Sequence, residues 1–242
     1  MLMPAITAEE RTSLLAWWRE AGVDTLVGET PFAWLAPPER TSENKGNGED
    51  AAAARAPTPL PGSIAALDAW LAGGDDVPGA AWGTTRIAAA GDPAAALMIV
   101  TGQPEPGDAG EGRLFGGALG QLFDRMLAAI GQTRESVYLA PIAPVRAPGG
   151  TVAPEVMERL GAIMRHRIAL AGPKRVLVLG NAASRALLGT ELRAARGSIR
   201  ALKHGAGTVE AVASFPPRML LEHPAAKAEA WKDLLLVSRK GA

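Results

Sequence analysis

The segment LMIVTGQPEPG at residues 97–107 places a five-residue apolar run directly before a loop rich in glycine and proline. Such a run, bounded by turn residues, is typical of a buried strand. Further strands are predicted at 136–140, 175–179 and 209–214. Helices are predicted at 63–71, 117–130, 154–171, 181–188 and 225–236. Strands that alternate with helices predict an α/β fold, a three-layer α/β/α domain with a four-stranded, mainly parallel sheet.

The loops that follow the predicted strands are the expected ligand-binding region. In open α/β sheets, ligands bind beyond the carboxyl ends of the parallel strands. The sequence therefore predicts one pocket surrounded by the loops 102–115, 141–153, 180–182 and 215–219.

The chain is predicted to have three parts. Residues 1–36 contain the apolar positions Leu14, Leu15, Trp17 and Trp18 at helical spacing and are predicted to be a helical extension. Residues 37–62 are polar and rich in proline and glycine, which predicts a flexible linker. Residues 63–242 are predicted to form the α/β domain.

The composition excludes several kinds of chemistry. The chain of 242 residues has no cysteine, which excludes disulfides, thiolate-bound metals and thiol nucleophiles. Its three histidines are far apart in sequence, so we expect no metal site and no cofactor. No run of about 20 apolar residues and no signal peptide is evident. We expect a cytoplasmic monomer without a membrane partner.

Charge is unevenly distributed along the chain. Residues 1–139 carry 9 Lys/Arg against 18 Asp/Glu, whereas residues 140–242 carry 16 against 7. A basic half is typical of proteins that bind nucleic acid. The alternative is that the two halves pair with each other, or that their charges are simply solvated.

Several motifs carry a family resemblance. They are GRLFGGALGQLF at 112–123, VYL at 137–139, PKRVLVLG at 173–180 and SFPPRMLL at 214–221. With the loop that begins at Gly102, they resemble the uracil-DNA glycosylase superfamily, in particular its bacterial iron–sulfur (family-four-like) branch. The resemblance covers residues 10–36 and 95–236. It implies a DNA-repair hydrolase that removes a base from single- or double-stranded DNA.

The resemblance also assigns base-binding and catalytic positions. Gly102 and Phe115 would bind the base, with the Phe115 ring stacked on it; Phe115 could also be an ordinary core aromatic. Gln103 stands where the family has a glutamate. Glu105, two residues later, could replace that carboxylate or could be a solvated loop residue. Pro141 and Pro216 stand where the family has asparagine and histidine, so the expected amide and oxyanion donor are missing.

Three arginines match positions that suggest DNA contacts. Arg146 and Arg218 could touch phosphates or form surface salt bridges, and Arg196 lies in a segment that resembles an Arg-Gly loop of the family. Val145 and Leu160 align with two family cysteines. The sequence therefore predicts a repacked core in place of the iron–sulfur cluster.

Three hypotheses for function remain open. The first is a divergent glycosylase that uses substitute groups such as Gln103 and Glu105. The second is a catalytically inactive relative that binds DNA. The third is a structural or interaction protein, with an unknown protein partner, that no longer binds DNA. The net positive charge of residues 140–242 favours nucleic-acid binding and therefore argues mildly against the third hypothesis.

Overall fold

The computed structural model describes residues 59–205 and 207–238. The predicted helical extension and all but the last four residues of the predicted linker lie outside this part of the chain. Of the predicted linker, Leu60 packs against the core and the Pro61 carbonyl lies 2.8 Å from His166 Nε2. The packed domain therefore includes at least these residues, ahead of the predicted boundary at residue 63.

The described helices and strands alternate along the chain. The helices are α1 (Ile64–Gly73), α2 (Asp108–Glu111), α3 (Gly117–Ala129), α4 (Pro154–Ala171), α5 (Asn181–Leu188), α6 (Leu192–Ala195), α7 (Pro217–Glu222) and α8 (Lys227–Ser238). The strands are β1 (Ala90–Gly91), β2 (Leu97–Thr101), β3 (Tyr138–Pro141), β4 (Arg175–Leu179), β5 (Ile199–His204) and β6 (Gly207–Ser214). Short 3-10 turns lie at Ala80–Trp82, Pro148–Gly150 and Pro224–Ala226.

The strands form one sheet in the order β1-β3-β2-β4-β6-β5. The four inner strands β3, β2, β4 and β6 are parallel, as predicted. The prediction of four strands is wrong at the edges, where β1 and β5 pair antiparallel with β3 and β6. The three-layer α/β/α architecture is confirmed.

Both faces of the sheet are covered by helices. Met98, Val100, Val176 and Val178 point into a core that includes residues of α1, α4 and α5. The alternate residues of the same strands point to the opposite core, which includes residues of α3, α7 and α8. This alternation explains why β2 and β4 are apolar except for Thr101 and Arg175 at their ends, since the inner positions of such a strand are buried on one face or the other.

The helix boundaries follow capping rules. The hydroxyl of Ser63 accepts a hydrogen bond from Ala66 N (3.3 Å) at the start of α1. Helix α4 begins with Pro154 and ends at Ala171, and the capping residue Gly172 that follows has a φ of 59°, which suits glycine. In the part of the chain that the structure describes, no helix is long and apolar enough to cross a membrane.

Candidate functional site

The loops that follow the four parallel strands meet at one edge of the sheet. Thr101 is in register with Pro141 and Leu179, and Leu179 is in register with Ser214. Backbone hydrogen bonds continue this contact beyond the strands, from Ile142 N to the Thr101 carbonyl (2.8 Å) and from Ala143 N to the Gly102 carbonyl (2.9 Å). The predicted edge therefore assembles as expected for an open parallel sheet.

Gly102 lies where the β2 loop passes close to helix α5. A Cβ added to Gly102 would lie 3.1 Å from the Ala182 Cβ, closer than side chains normally approach. Gly102 thus lets the β2 loop approach the first turn of helix α5. Its predicted contact with a base stays a prediction.

Gln103 joins the β2 loop to the loop after β3. Its Nε2 donates to the Gly150 carbonyl (2.8 Å) and its Oε1 accepts from Ala147 N (3.2 Å). Both ends of the amide are therefore engaged by backbone groups 44 to 47 residues away. Gln103 also borders a cavity of about 500 Å³ whose other lining residues include Gly150, Pro154, Met157, Arg165 and Asn181.

Glu105 lies between two of the arginines that the sequence singles out. Its Oε2 accepts a hydrogen bond from Arg218 Nε (2.7 Å) and lies 4.0 Å from Arg146 Nη1. The Glu105 side chain is only 13% exposed, whereas Arg146 and Arg218 are 36% and 43% exposed. The structure thus brings one predicted catalytic residue and two predicted DNA contacts into a single cluster.

Further contacts fix this Arg146–Glu105–Arg218 cluster. Arg146 Nη1 donates to the Pro104 carbonyl (2.9 Å), and Arg218 Nη1 lies 3.5 Å from Glu222 Oε1. The hydrogen bond from Arg218 to Glu105 and the attraction between their charges raise the pKa of Arg218 above its ordinary value. Arg218 therefore remains a cation throughout the working pH range.

Phe115 is a core residue with an unusual backbone. Its side chain is 1% exposed, and its ring centroid lies 4.8 Å from that of Phe123. Its φ of 54° is the one positive value at a non-glycine position among the described residues. That left-handed conformation costs about 1–2 kcal/mol. Burial agrees with the alternative that Phe115 is a core aromatic, and its stacking on a base stays a prediction.

Two residues that the sequence analysis missed hold the loop around Phe115. Arg134 donates to the carbonyls of Leu114 (2.8 Å) and Phe115 (3.0 Å). Buried Asp108 accepts from Glu105 N (2.8 Å) and Gly116 N (3.0 Å). An aspartate in a Gly/Pro loop is a recognisable turn signal. Nothing local in the sequence indicates the role of Arg134.

Pro141 and Pro216 lie at this same edge. Pro141 is the buried last residue of β3, and Pro216 precedes α7 and accepts a hydrogen bond from Leu220 N (3.3 Å). Neither proline has a side-chain donor or acceptor, and neither has a backbone N–H. These two side chains are therefore apolar at positions where the family has the amide of asparagine and the imidazole of histidine.

Arg196 makes a different set of contacts. Its guanidinium donates to Asp233 (2.8 Å) and Glu229 (2.7 Å), and it lies 3.6 Å from the centroid of the Phe215 ring. Burial disfavours the charged form, but the hydrogen bonds that Arg196 donates to Glu229 and Asp233, with the attraction of these two charges, outweigh it and raise the pKa of Arg196. The structure gives this side chain intramolecular partners; its predicted DNA contact stays a prediction.

The positions that align with family cysteines do not fit an iron–sulfur cluster. Val145 and Leu160 are buried at 5% and 0% exposure, and Leu160 belongs to the core formed with α1 and α5. Thiolates are the ligands that such clusters require, and the chain contains none. The described residues also contain no group of His, Cys, Asp or Glu that could hold a metal ion.

The fold defines the chain as a three-layer α/β/α protein whose four inner strands are parallel. Residues 88–235 match the Uracil DNA glycosylase superfamily, and the chain belongs to that superfamily. It is 25% identical over 157 residues to the Type-4 uracil-DNA glycosylase of Archaeoglobus fulgidus, covering 62% of this chain and 79% of the relative. It is 27% identical over 147 residues to the Type-4 uracil-DNA glycosylase of Pyrobaculum aerophilum, covering 58% and 75%.

Proposed function

We propose that this protein is a DNA-binding member of its superfamily that has lost the uracil-excision chemistry of its relatives. The observation that carries the proposal is the Arg146–Glu105–Arg218 cluster, in which two half-exposed arginines lie together at the carboxyl edge of the sheet. Relatives named uracil-DNA glycosylase support DNA as the ligand. Arginine forks are well suited to phosphate oxygens.

The loss of excision is argued from the groups that this chemistry needs. A glycosylase holds an extruded base by stacking and edge hydrogen bonds, and it stabilises the charge on the departing base. Here Pro141 and Pro216 supply no donor, the Gln103 amide is bound to backbone groups, and the Phe115 ring is buried. These features support binding without hydrolysis.

Binding of a uracil-containing single-stranded oligonucleotide across salt concentration tests the proposal. We expect Arg146→Gln and Arg218→Gln each to weaken binding and to reduce the slope of log affinity against log salt by about 0.7, the value for one lost phosphate contact. Arg159→Gln, an exposed arginine on α4, is the matched control and should change little. Binding that is absent or insensitive to salt would favour the structural or interaction protein.

A second candidate function is base excision with Glu105 as the carboxylate that positions water. It is favoured by the fixed position of Glu105, which is 13% exposed and held by Arg218. Cleavage of the same oligonucleotide, recorded beside binding, separates the two candidates. Cleavage above a buffer control that disappears in Glu105→Gln would establish excision and contradict the proposed loss of activity.

A further inference from the structure

The arginines of the Arg146–Glu105–Arg218 cluster already have an anionic partner inside the protein. We propose that Glu105 is a built-in competitor for the DNA phosphate, so that a phosphate must share the positive charge of the two arginines with this carboxylate. This inference rests on the proposed function, because it concerns the affinity and selectivity of the same surface. It assigns to Glu105 a role in specificity that differs from positioning water.

The geometry gives the carboxylate an inner position and the arginines an outer one. The Glu105 side chain is 13% exposed, whereas those of Arg146 and Arg218 are 36% and 43% exposed. Each guanidinium has five N–H donors, and the contacts described above use only some of them. An incoming phosphate can therefore contact the exposed sides of both arginines while the carboxylate lies beneath them.

The carboxylates of the cluster reduce the attraction of its arginines for a phosphate. Arg218 has carboxylates on two sides, Glu105 at 2.7 Å and Glu222 at 3.5 Å. Two arginines and two glutamates sum to zero formal charge, so the isolated cluster attracts a phosphate only weakly. A ligand that offers two suitably spaced phosphates can engage both arginines at once, which favours a nucleic-acid backbone over a single small anion.

The loop geometry keeps Glu105 in this position. Its backbone N–H donates to Asp108 Oδ2 (2.8 Å), and the adjacent Pro104 carbonyl accepts from Arg146 Nη1 (2.9 Å). Asp108 is itself buried and also binds Gly116 N. The carboxylate is thus anchored through its own backbone and does not depend on the arginines alone.

Glu105→Gln tests the inference because competition predicts that this variant gains affinity for DNA, whereas a role of Glu105 in binding DNA predicts that it loses affinity. We expect this variant to bind the uracil-containing oligonucleotide about fivefold more tightly at low salt, the factor that corresponds to releasing one competing ion pair. Glu111→Gln is the matched control: it removes a charge six residues further along the chain, at the end of α2, but its partner is Arg113 at 3.0 Å. It should change affinity less than about twofold.

A double variant shows whether the gain acts through the arginine. In the Arg218→Gln background, Glu105→Gln should lose most of its effect on affinity, because the ion pair between Arg218 and Glu105 is already gone. Unchanged or weaker binding by Glu105→Gln, with a denaturation midpoint like that of the wild type, would overturn the inference. If neither the wild type nor the two arginine variants show salt-dependent binding of the oligonucleotide, the proposed DNA-binding function is contradicted. If the wild type binds but Glu105→Gln does not bind more tightly, only the competitor role of Glu105 is contradicted.

Discussion

At the scale of single residues, Phe115 and Arg134 link the site loop to the core. Phe115 has a φ of 54°, and Arg134, 19 residues away, donates to its carbonyl and to that of Leu114. Arg134 also pairs with Asp124 at 2.6 Å, and its guanidinium lies 5.2 Å from the Phe123 ring centroid. These contacts hold a backbone conformation that a phenylalanine disfavours.

Replacing Arg134 with methionine should therefore destabilise the protein. We expect the free energy of unfolding to fall by about 1.5–3 kcal/mol, because two carbonyls lose hydrogen bonds to a charged group. Arg125→Met, an exposed arginine on α3, should stay within about 0.5 kcal/mol of the wild type. Urea denaturation measures both. Equal effects of the two variants would mean that Arg134 does not hold the Phe115 loop.

The site residues show what sequence can predict at this scale. The residue types at positions 103, 105, 146 and 218 are visible in the sequence, and the structure brings them to one edge. Their partners are not visible, because Arg218 meets Glu105 from 113 residues away and Gln103 meets Gly150 from 47. Such pairings depend on how strands are ordered in the sheet.

At the scale of elements, β3, α4 and α1 are joined by a buried polar group. Arg167 of α4, 3% exposed, donates to the hydroxyl of Tyr138 in β3 and pairs with Asp68 of α1 at 2.6 Å. Burial raises the pKa of Tyr138 above its ordinary value, although the charge of Arg167 works in the opposite direction. The hydroxyl is thus held in its neutral form within the fold.

The single tyrosine of the chain makes this linkage directly measurable. The pKa of Tyr138 is higher in the folded than in the unfolded protein. Its contribution to the free energy of unfolding is therefore complete below about pH 10, the ordinary pKa of tyrosine, and is lost as the pH rises through the folded-state pKa. Absorbance of the phenolate should therefore appear at higher pH in native protein than in protein unfolded by guanidinium. Tyr138→Phe should remove both the signal and this alkaline loss of stability. Coinciding midpoints would contradict the raised pKa.

The strands show where the hydrophobic pattern of the sequence predicts secondary structure correctly. Strands β2 and β4 match their predicted bounds, 97–101 and 175–179, because strands buried on both faces are short apolar runs. Strand β5, Ile199–His204, was missed because it is an edge strand with mostly exposed or partly exposed residues, including Arg200 and Lys203. Strand β1 has only two residues, too few for a pattern.

At the scale of the whole molecule, the acidic and basic halves of the sequence meet in the fold. The ion pair between Asp68 and Arg167 crosses the boundary at residue 140, as do the contacts of Glu105 with Arg146 and Arg218. Part of the charge division is therefore internal pairing, one of the alternatives that the composition left open. The arginines around Glu105 nevertheless remain partly exposed, so pairing and phosphate binding can use the same side chains.

A buried carboxylate of helix α8, Asp233, connects this helix to the sheet, beside the hydrogen bonds from Arg175 of β4 to the carbonyls of Leu236 and Val237. Asp233, 1% exposed, accepts hydrogen bonds from Arg196 Nε (2.8 Å), Gly197 N (3.1 Å) and the Ser214 hydroxyl (2.9 Å) at the end of β6. It thereby connects the last helix, the loop before β5 and the last parallel strand. Because these partners come from distant parts of the chain, Asp233 contributes to the stability of the whole domain.

Asp233→Ala should lower the free energy of unfolding by about 3–5 kcal/mol, because it leaves Arg196 at 11% exposure without its buried partner. Glu229→Gln is the control: it removes the other carboxylate bound to Arg196, but one that is 62% exposed, and its effect should be much smaller. Guanidinium denaturation measures both variants. A cost no greater than that of Glu229→Gln would show that Asp233 contributes little to holding α8 against the sheet.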